Sequence, residues 1–561
     1  MWLRRARTTL MIPLLAALAA CGGGGSAETP PATSAPPPAV TQAQINAASR
    51  LAAQATFGMP FEALEPMAAL GREGWLEAQF SLPVTFHRPA INEILQRRDA
   101  GDFIPFETDI EYLVFSKRLA WWHTTITAND ALRQRVAFAL SQIFVVSDQV
   151  DLLEVYPYAL GTYYDLLLEH AFGNFRELLY DVALSPAMGV YLSHVNNRRA
   201  NPAANVFPDE NFAREVMQLF SIGLFELNID GSAVRDSNGD PVPAYTNDDI
   251  REFAKIFTGF SYDTDNGGFG NVDAPRFDRP MRMFDAEHEP GEKQLLRGMV
   301  VPAGQSGLQD VDMAIDNLFN HPNVGPFIGQ QLIQRLVTSN PSPAYVTRVA
   351  SAFNDNGFGV RGDMQAVLTA VFTDPEAIAP PANSGYFGKL REPVVRYASI
   401  LRQFGATSDD GFIAVLGYFL DAQTRQHPLS APSVFNFYLP THSPASDLAD
   451  QGLVAPEFEI TNANTIIGYP NFIDAILFGD FVTDAPPGFG EVTLKLDAWR
   501  DLAGDATTFV DRLDTLLTYG SLSAETRTLF ADAINELQDP DLRLRVGLYL
   551  FLTAPEMAVR H

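Results

Sequence analysis

Apolar residues recur at every third or fourth position over most of the chain that follows Val40. Within 132–144, for example, Leu132, Val136, Leu140 and Ile143 fall on one face of a helix. This period is typical of amphipathic helices that pack on a core. Similar stripes occur at 108–126, 162–180, 209–226, 308–319, 326–337, 362–373, 522–537 and 541–552. The pattern predicts a mainly α fold, a large multi-helix orthogonal bundle of roughly fifteen to twenty helices.

Prolines mark the expected starts of several of these helices. Proline is tolerated in the first helical turn, where its missing N–H has no intrahelical acceptor to bond. Five helices are predicted to begin in this way, at Ser185-Pro186, Ser342-Pro343, Asp374-Pro375, Asp539-Pro540 and Ala554-Pro555.

Only a few segments break the helical period. The segment 228–245 carries two turn signals, Asp230-Gly231 and Asn238-Gly239, and predicts a small β-hairpin. The stretches 261–301 and 425–451 are predicted to be irregular loop excursions, and the first is rich in Gly, Asp, Phe and Pro. A candidate sub-boundary lies near 406–411, although nothing there resembles an interdomain linker.

The N-terminus has the organisation of an export signal. Three arginines within Met1–Arg7 precede an apolar run from Thr8 to Ala20, which is too short to be a comfortable permanent bilayer span. Leu18-Ala-Ala-Cys21 resembles the lipobox of bacterial lipoproteins, which implies cleavage before Cys21 and lipidation of its sulfur. The alternative is an ordinary secretory signal that ends at a cysteine. We therefore expect a lipoprotein signal peptide over 1–20.

After the signal comes a tether and then the folded body. Residues 21–40 are rich in Gly and Pro and lack the apolar surface needed for ordered packing. The remaining helical domain is expected to span 41–561. Gly22 stands where an aspartate would often retain a lipoprotein in the inner membrane, so the resemblance favours the outer membrane. The prediction is a lipid-anchored protein of the cell envelope, attached to the membrane through Cys21.

Net charge and cysteine content limit the classes of partner and metal site that we expect for the chain. The chain has a formal net charge of −28. A surface of that sign repels phosphate backbones, so we expect no nucleic-acid partner. The one cysteine excludes an intrachain disulfide and a cysteine-rich zinc site. Any bound metal would need carboxylate and imidazole ligands.

Two adjacent segments closely resemble a bacterial family catalogued as domain of unknown function 1800 (DUF1800). They run from Pro208-Asp-Glu-Asn-Phe-Ala-Arg-Glu to Phe225 and from Tyr245-Thr-Asn-Asp-Asp to Phe260. Further family-like blocks follow in order at 288–293, 320–323, 327–336, 388–394, 432–438 and 552–557. The resemblance covers about 45–560. It implies an exported helical protein, often encoded beside an exported protein of the family of unknown function 1501, and it attaches no activity.

The first of these segments contains candidate catalytic side chains. Helical spacing places Glu210 beside Arg214 and Asn211 beside Glu215. Asn211 and Glu215 would then offer oxygen ligands or a general base from one face. The structural alternative is that Glu210 and Arg214 form a surface pair and Asp209 caps the helix.

The second segment offers a carboxylate and leads to a histidine. Thr246-Asn-Asp-Asp249 fits a capping box, while the functional alternative makes Asp248 or Asp249 face Glu215. His288 lies in a loop whose backbone is fixed by Pro and Gly, which suits a ligand or an acid–base group. The hypothesis is that Glu215, Asp249 and His288 are catalytic, or bind a divalent metal together with Asn211, because polar segments converge on an apolar core.

Weaker candidates lie elsewhere. Asp236, Asn238 and Asp240 imitate a calcium loop, but Pro241 occupies the glycine position of such a loop. The segment Lys389–Glu392 would either hold an anionic substrate or form a salt-bridged helix terminus. The standard signatures of serine hydrolases, zinc proteases and nucleotide-binding loops are absent from the sequence.

Two classes of function remain open. One is a metal-dependent or acid–base enzyme of the envelope that uses the Glu, Asp and His group. The other is a non-catalytic lipoprotein that binds or assembles with an exported partner. The absent signatures favour the second class.

Overall fold

The apolar stripes fold into helices whose buried faces surround one continuous core. The structure, a computed structural model, describes residues 39–101, 109–265, 267–271, 275–381 and 384–560. Val40–His561 forms a compact unit. Cys21, the predicted signal peptide and nearly all of the predicted tether lie outside the described residues.

The mainly α prediction is confirmed. The described residues contain 25 α-helices, more than the fifteen to twenty expected. The first eleven are α1 Gln42–Ala55, α2 Leu64–Phe80, α3 Arg88–Ala100, α4 Asp109–Thr127, α5 Ala131–Ser141, α6 Asp151–Val155, α7 Pro157–His170, α8 Phe175–Leu184, α9 Pro186–Tyr191, α10 Asn211–Gln218 and α11 Asn247–Ile256.

Fourteen helices follow. They are α12 Gly307–Phe319, α13 Val324–Leu336, α14 Pro343–Asn354, α15 Met364–Thr373, α16 Pro375–Ile378, α17 Pro393–Gln403, α18 Tyr418–Thr424, α19 Asp447–Asp450, α20 Ala463–Phe478, α21 Asp497–Leu502, α22 Ala506–Leu513, α23 Ala524–Asn535, α24 Pro540–Thr553 and α25 Pro555–Ala558. The excess over the predicted number comes from short helices such as α6 and α16, which are too short to show a hydrophobic period.

The predicted helix starts are confirmed. All five prolines occupy the first turn of a helix, in α9, α14, α16, α24 and α25. Ser342, Asp374 and Asp539 also accept hydrogen bonds from backbone N–H groups of the first turn. These groups have no intrahelical acceptor, so the preceding residue stabilises the start that proline permits.

Strands contribute little. In the described part of the chain, eight two-residue strands form four antiparallel pairs, which are β1 Phe260–Ser261 with β2 Arg282–Met283, β3 Lys293–Gln294 with β4 Val300–Val301, β5 Lys389–Leu390 with β8 Val559–Arg560, and β6 Thr407–Ser408 with β7 Val492–Thr493. The predicted hairpin over 228–245 is present as isolated antiparallel bridges, such as Leu227 to Ala233 and Arg235 to Pro241.

Two helices run through the interior and carry arginines with them. All ten residues of α5 from Ala131 to Leu140 are buried, and so are eleven of the thirteen residues of α13. Arg135 of α5 and Arg335 of α13 are 2% and 5% exposed. A buried guanidinium needs hydrogen-bond acceptors inside the protein, so these helices bring polar chemistry into the core. No helix among the described residues has both the length and the apolar character that crossing a bilayer requires.

Candidate ligand-binding cleft

A cleft of about 500 Å³ opens beside α13. Its walls come from the end of α10 and the turn after it, from α13 itself, and from the loop 434–441. These segments are far apart in sequence, and each belongs to or adjoins one of the family-like blocks. A volume of this size is in the usual range for small-molecule sites.

The mouth of the cleft is apolar. Leu224 and Phe225 on one side are 51% and 40% exposed, and Phe435 and Leu439 on the other are 44% and 37% exposed. Single exposed apolar residues are normal on a protein surface, but several around one concavity indicate a binding site. We call these four residues the rim.

The floor of the cleft is polar and incompletely bonded. Gln142, Gln331 and Arg335 line it and are nearly fully buried. Gln142 Oε1, Gln331 Nε2 and Arg335 Nε have no hydrogen-bond partner within the protein. A buried polar atom without a partner costs about 1–3 kcal/mol, so these three atoms, which belong to residues that line the cleft, would be stabilised by a ligand that reached and bonded to them.

Backbone carbonyls hold the floor arginine in place. Arg335 Nη2 donates to the carbonyl oxygen of Gln142 at 2.8 Å. Arg135 Nη2 donates to the carbonyl oxygen of Arg335 at 2.7 Å. The two buried arginines therefore connect α5 to α13 directly beneath the cleft. Arg135 Nε, Arg135 Nη1 and Arg335 Nε have no protein partner.

Behind the floor lies a buried carboxylate, Glu392. Its Oε2 accepts hydrogen bonds from Gln142 Nε2 at 2.6 Å, from Gln426 Nε2 at 2.6 Å and from the hydroxyl of Tyr438 at 2.7 Å. Gln142 therefore links the cleft to Glu392. Glu392 Oε1 has no protein partner.

A buried ion pair completes this interior group. Lys389 Nζ contacts Glu457 Oε1, and the two side chains are 3% and 2% exposed. We call Arg135, Arg335, Lys389, Glu392 and Glu457 the charged cluster. It has one more cation than carboxylates, although the whole chain is strongly acidic.

Burial destabilises the cations of the cluster. Removal from water lowers the pKa values of Arg135, Arg335 and Lys389, and the attraction of Glu392 and Glu457 opposes this effect. Burial and the same two carboxylates raise the pKa of Tyr438 well above its ordinary value. An uncompensated positive charge in a low-dielectric interior favours an anion nearby.

A second concavity adjoins the cleft. This groove of about 650 Å³ shares Phe327, Gln330 and Gln331 with the cleft and continues toward Tyr386. Its walls are mainly apolar, and its polar groups are largely engaged. Gln334 Nε2, for example, donates to the carbonyl oxygens of Ser339 and Pro440. The cleft, with its unbonded floor, is therefore the stronger candidate site.

Glu215, the first predicted catalytic residue, lies near the cleft wall. It is 7% exposed, and its Oε2 has no hydrogen-bond partner in the protein. Burial raises the pKa of its carboxyl group. Gln218, the last residue of the same helix, and Leu219, which follows it, line the cleft.

Asp249 and Asn211 have local structural contacts. Asp249 Oδ2 accepts from the backbone N–H and the hydroxyl of Thr246, both at 2.7 Å, so the capping-box interpretation is confirmed. Asn211 is exposed at the start of α10, where its N–H donates to Asp209 Oδ1 at 2.8 Å. Glu210 also pairs with Arg214 at 3.3 Å, as the structural alternative expected.

His288 belongs to a different buried network. Its Nε2 lies 3.0 Å from Asp310 Oδ2, and its Nδ1 lies 2.9 Å from the carbonyl oxygen of Thr258. Lys293 Nζ donates to the same Asp310 oxygen at 2.5 Å. Burial opposes ionisation of Asp310, but hydrogen bonds from His288, Lys293 and Gln305 outweigh it and lower its pKa.

The four predicted residues are therefore distributed among separate contacts. Within the part of the chain that the structure describes, no hydrogen bond or ion pair joins Glu215, Asp249 and His288 to one another. The same part contains no group of three or more His, Cys, Asp or Glu residues placed to hold a metal ion. The catalytic role of these residues stays a prediction.

The sequence interpretation overlooked Arg335, Gln142 and Gln331. One signal was available, because Arg135 and Arg335 both fall inside apolar helical stripes where a charge is unusual. The sequence left two interpretations of Lys389–Glu392, a site for an anionic substrate or a salt-bridged helix terminus. Lys389 and Glu392 prove to be buried members of the charged cluster, and Arg391 donates to the carbonyl oxygen of Met557.

Comparison with known proteins identifies the family. The family described as "Protein of unknown function (DUF1800)" has a model that matches residues 50–559, nearly the whole chain. The chain belongs to the DUF1800 family. No curated protein and no solved structure matches this DUF1800 chain. Three of the family-like blocks, 208–225, 327–336 and 432–438, contribute residues to the cleft.

Proposed function

We propose that this DUF1800 protein is a binding protein and that the cleft beside α13 is its binding site. The observation that carries the proposal is the contrast between the exposed apolar rim and the unbonded polar floor. Burial of the rim against a ligand would remove apolar surface from water, and the floor would bond to the polar end of that ligand. Such a site needs no catalytic group.

We further propose that the protein acts outside the cytoplasm as a lipoprotein. The support is the sequence of residues 1–40, which combines an export signal, Cys21 in a lipobox-like context and a Gly/Pro-rich tether. The outer membrane is the proposed location because Gly22 follows Cys21. An exported protein of the family of unknown function 1501 is the proposed protein partner, and this rests on the family resemblance alone.

The binding proposal is tested by titrating the uncharged fluorescent dye Nile red into the purified Val40–His561 unit. This unit holds all of the described core. Leu224→Ala and Phe435→Ala should each weaken dye binding about fivefold, since each removes roughly 1 kcal/mol of apolar contact at the rim.

Matched control positions lie outside both concavities. Phe358 is 91% exposed and Leu529 is 65% exposed, and neither lines the cleft or the groove. Phe358→Ala and Leu529→Ala should leave dye binding unchanged. If the rim variants bind the dye as tightly as the controls do, the cleft is not the binding site.

A second candidate function is a metal-dependent or acid–base enzyme that uses Glu215. The buried, unbonded carboxyl oxygen and the raised pKa favour it, since such groups are common at active sites. Metal analysis of the purified protein and of Glu215→Gln tests this candidate. Stoichiometric metal that is lost in the variant would support a metal-dependent enzyme. The absence of metal in both proteins would exclude that form and leave only a metal-free acid–base role for Glu215 beside the binding function.

A further inference from the structure

We infer that the cleft binds a small apolar acid, with the carboxylate of the ligand on Arg335 and Gln331 and its apolar chain between the rim residues. The inference rests on the proposed binding function and specifies the chemistry of the ligand. Three features of the site support it: the charge of the cluster, the donors left free on the floor, and the size and polarity of the cleft.

The first feature is charge. Arg135, Arg335 and Lys389 stand against Glu392 and Glu457, so the charged cluster carries one excess positive charge. A cationic ligand would be repelled by it, and a neutral one would leave it uncompensated. An anion would offset positive charge beside the cluster, where the buried Arg560 also interacts with Arg135, and a carboxylate is the anion that organic ligands most often carry.

The second feature is the set of free donors. Arg335 Nε and Gln331 Nε2 each have an N–H without an acceptor in the protein, and both residues line the cleft. A carboxylate has two oxygens that accept hydrogen bonds from neighbouring donors, and arginine matches that planar geometry well. Gln142 Oε1, the unbonded acceptor on the same floor, can take a hydrogen bond from water bound beside the carboxylate.

The third feature is the shape of the site. The rim is formed by Leu224, Phe225, Phe435 and Leu439, so the part of the ligand that follows the carboxylate must be apolar. A cavity of about 500 Å³ suits a single small molecule better than a folded partner. The ligand class is therefore a free carboxylic acid with an aliphatic or aromatic body, such as a fatty acid.

The test compares dodecanoate with dodecan-1-ol as competitors of Nile red on the Val40–His561 unit. The two probes have the same chain and differ in the charged end. Dodecanoate should bind about tenfold to a hundredfold more tightly, because hydrogen bonds to a charged group are worth more than those to a neutral one. Equal binding of the two probes would overturn the inference.

Variants of the floor locate the effect. Arg335→Gln should abolish the preference for the acid over the alcohol. Because Arg335 also joins α5 to α13, Gln331→Leu provides a second variant that preserves the arginine and should reduce the preference severalfold. Gln330→Leu is the matched control, since Gln330 lines the cleft without an unbonded buried atom, and it should keep the preference. A folded Gln331→Leu variant with the full preference would also overturn the inference.

The outcomes separate this inference from the proposed function. If Nile red binding depends on the rim but acid and alcohol compete equally, the cleft binds ligands and the carboxylate assignment is wrong. If Nile red binding is independent of the rim, both proposals fail. The last competitor is an apolar peptide with a free C-terminal carboxylate. If this peptide displaces Nile red more tightly than dodecanoate does, the ligand is the C-terminus of a polypeptide and the small-acid inference is wrong.

Discussion

Breaking the buried ion pair between Lys389 and Glu457 should destabilise the protein strongly. Both side chains are almost completely buried, so neither charge can recover hydration when its partner is removed. Lys389→Met retains the aliphatic stem and removes only the charge. It leaves the Glu457 carboxylate, whose Oε2 already lacks a partner, without its closest cation. Loss of one partner of a buried pair costs about 3–5 kcal/mol.

The double variant distinguishes a true pair from two independent sites. Glu457→Leu alone leaves Lys389 without its partner, increases the excess positive charge of the cluster, and should also cost about 3–5 kcal/mol. In the double variant Lys389→Met/Glu457→Leu no charge of the pair remains. The free energy of unfolding should therefore fall less than in either single variant. The unfolding free energy of all four proteins can be compared by urea unfolding followed by circular dichroism.

A partly exposed pair of the same type provides the control. Lys255 contacts Glu252 at 2.5 Å on α11, with side chains 33% and 24% exposed. Lys255→Met should cost less than about 1 kcal/mol, because water screens and solvates the pair. The reasoning would be refuted if the losses at Lys389 and Glu457 were additive in the double variant, or if Lys389→Met cost no more than Lys255→Met.

Three further predictions concern other parts of the chain. Burial raises the pKa of Asp165 to about 7, so the folded protein holds a proton there that the unfolded chain has lost above about pH 4. The free energy of unfolding should therefore fall as pH rises from about 4 to 7. Urea unfolding of Asp165→Asn at several pH values should show a flatter decline, and an unchanged slope would contradict this. Asp249→Ala removes the capping box of α11 and should lower the free energy of unfolding by about 1 kcal/mol in thermal or urea unfolding. The control Asp248→Ala, at the exposed neighbouring residue, should lower it by less than about 0.5 kcal/mol. Cys21→Ser should abolish incorporation of labelled palmitate in the bacterial host, and equal labelling of both proteins would exclude lipidation at Cys21.

Local features of the fold were predictable from the sequence because their causes are local. Pro343 and Pro540 begin helices for a steric reason that acts within one turn, and Thr246 with Asp249 forms a capping box from four consecutive residues. Helix α6, in contrast, has five residues and shows no hydrophobic period of its own. Its conformation depends on packing against neighbouring helices, which a sequence pattern does not specify.

The candidate site was not predictable in the same way. Gln142, Arg335 and Leu439 are separated by about two hundred and one hundred residues, and only the tertiary fold brings them to one cleft. Their side chains also look ordinary in sequence, whereas Glu215, Asp249 and His288 attract attention as titratable groups near turns. One feature of the sequence did indicate a polar interior, because a charge such as Arg335 within an apolar stripe must find acceptors there.

A crystal structure of Val40–His561 grown with dodecanoate would show whether the cleft holds an apolar acid on Arg335. One dodecanoate is expected in the cleft, with its carboxylate within hydrogen-bond distance of Arg335 Nε and its chain between Leu224 and Phe435. An empty cleft in a crystal that holds the ligand elsewhere, or a ligand with its carboxylate turned toward solvent, would contradict it.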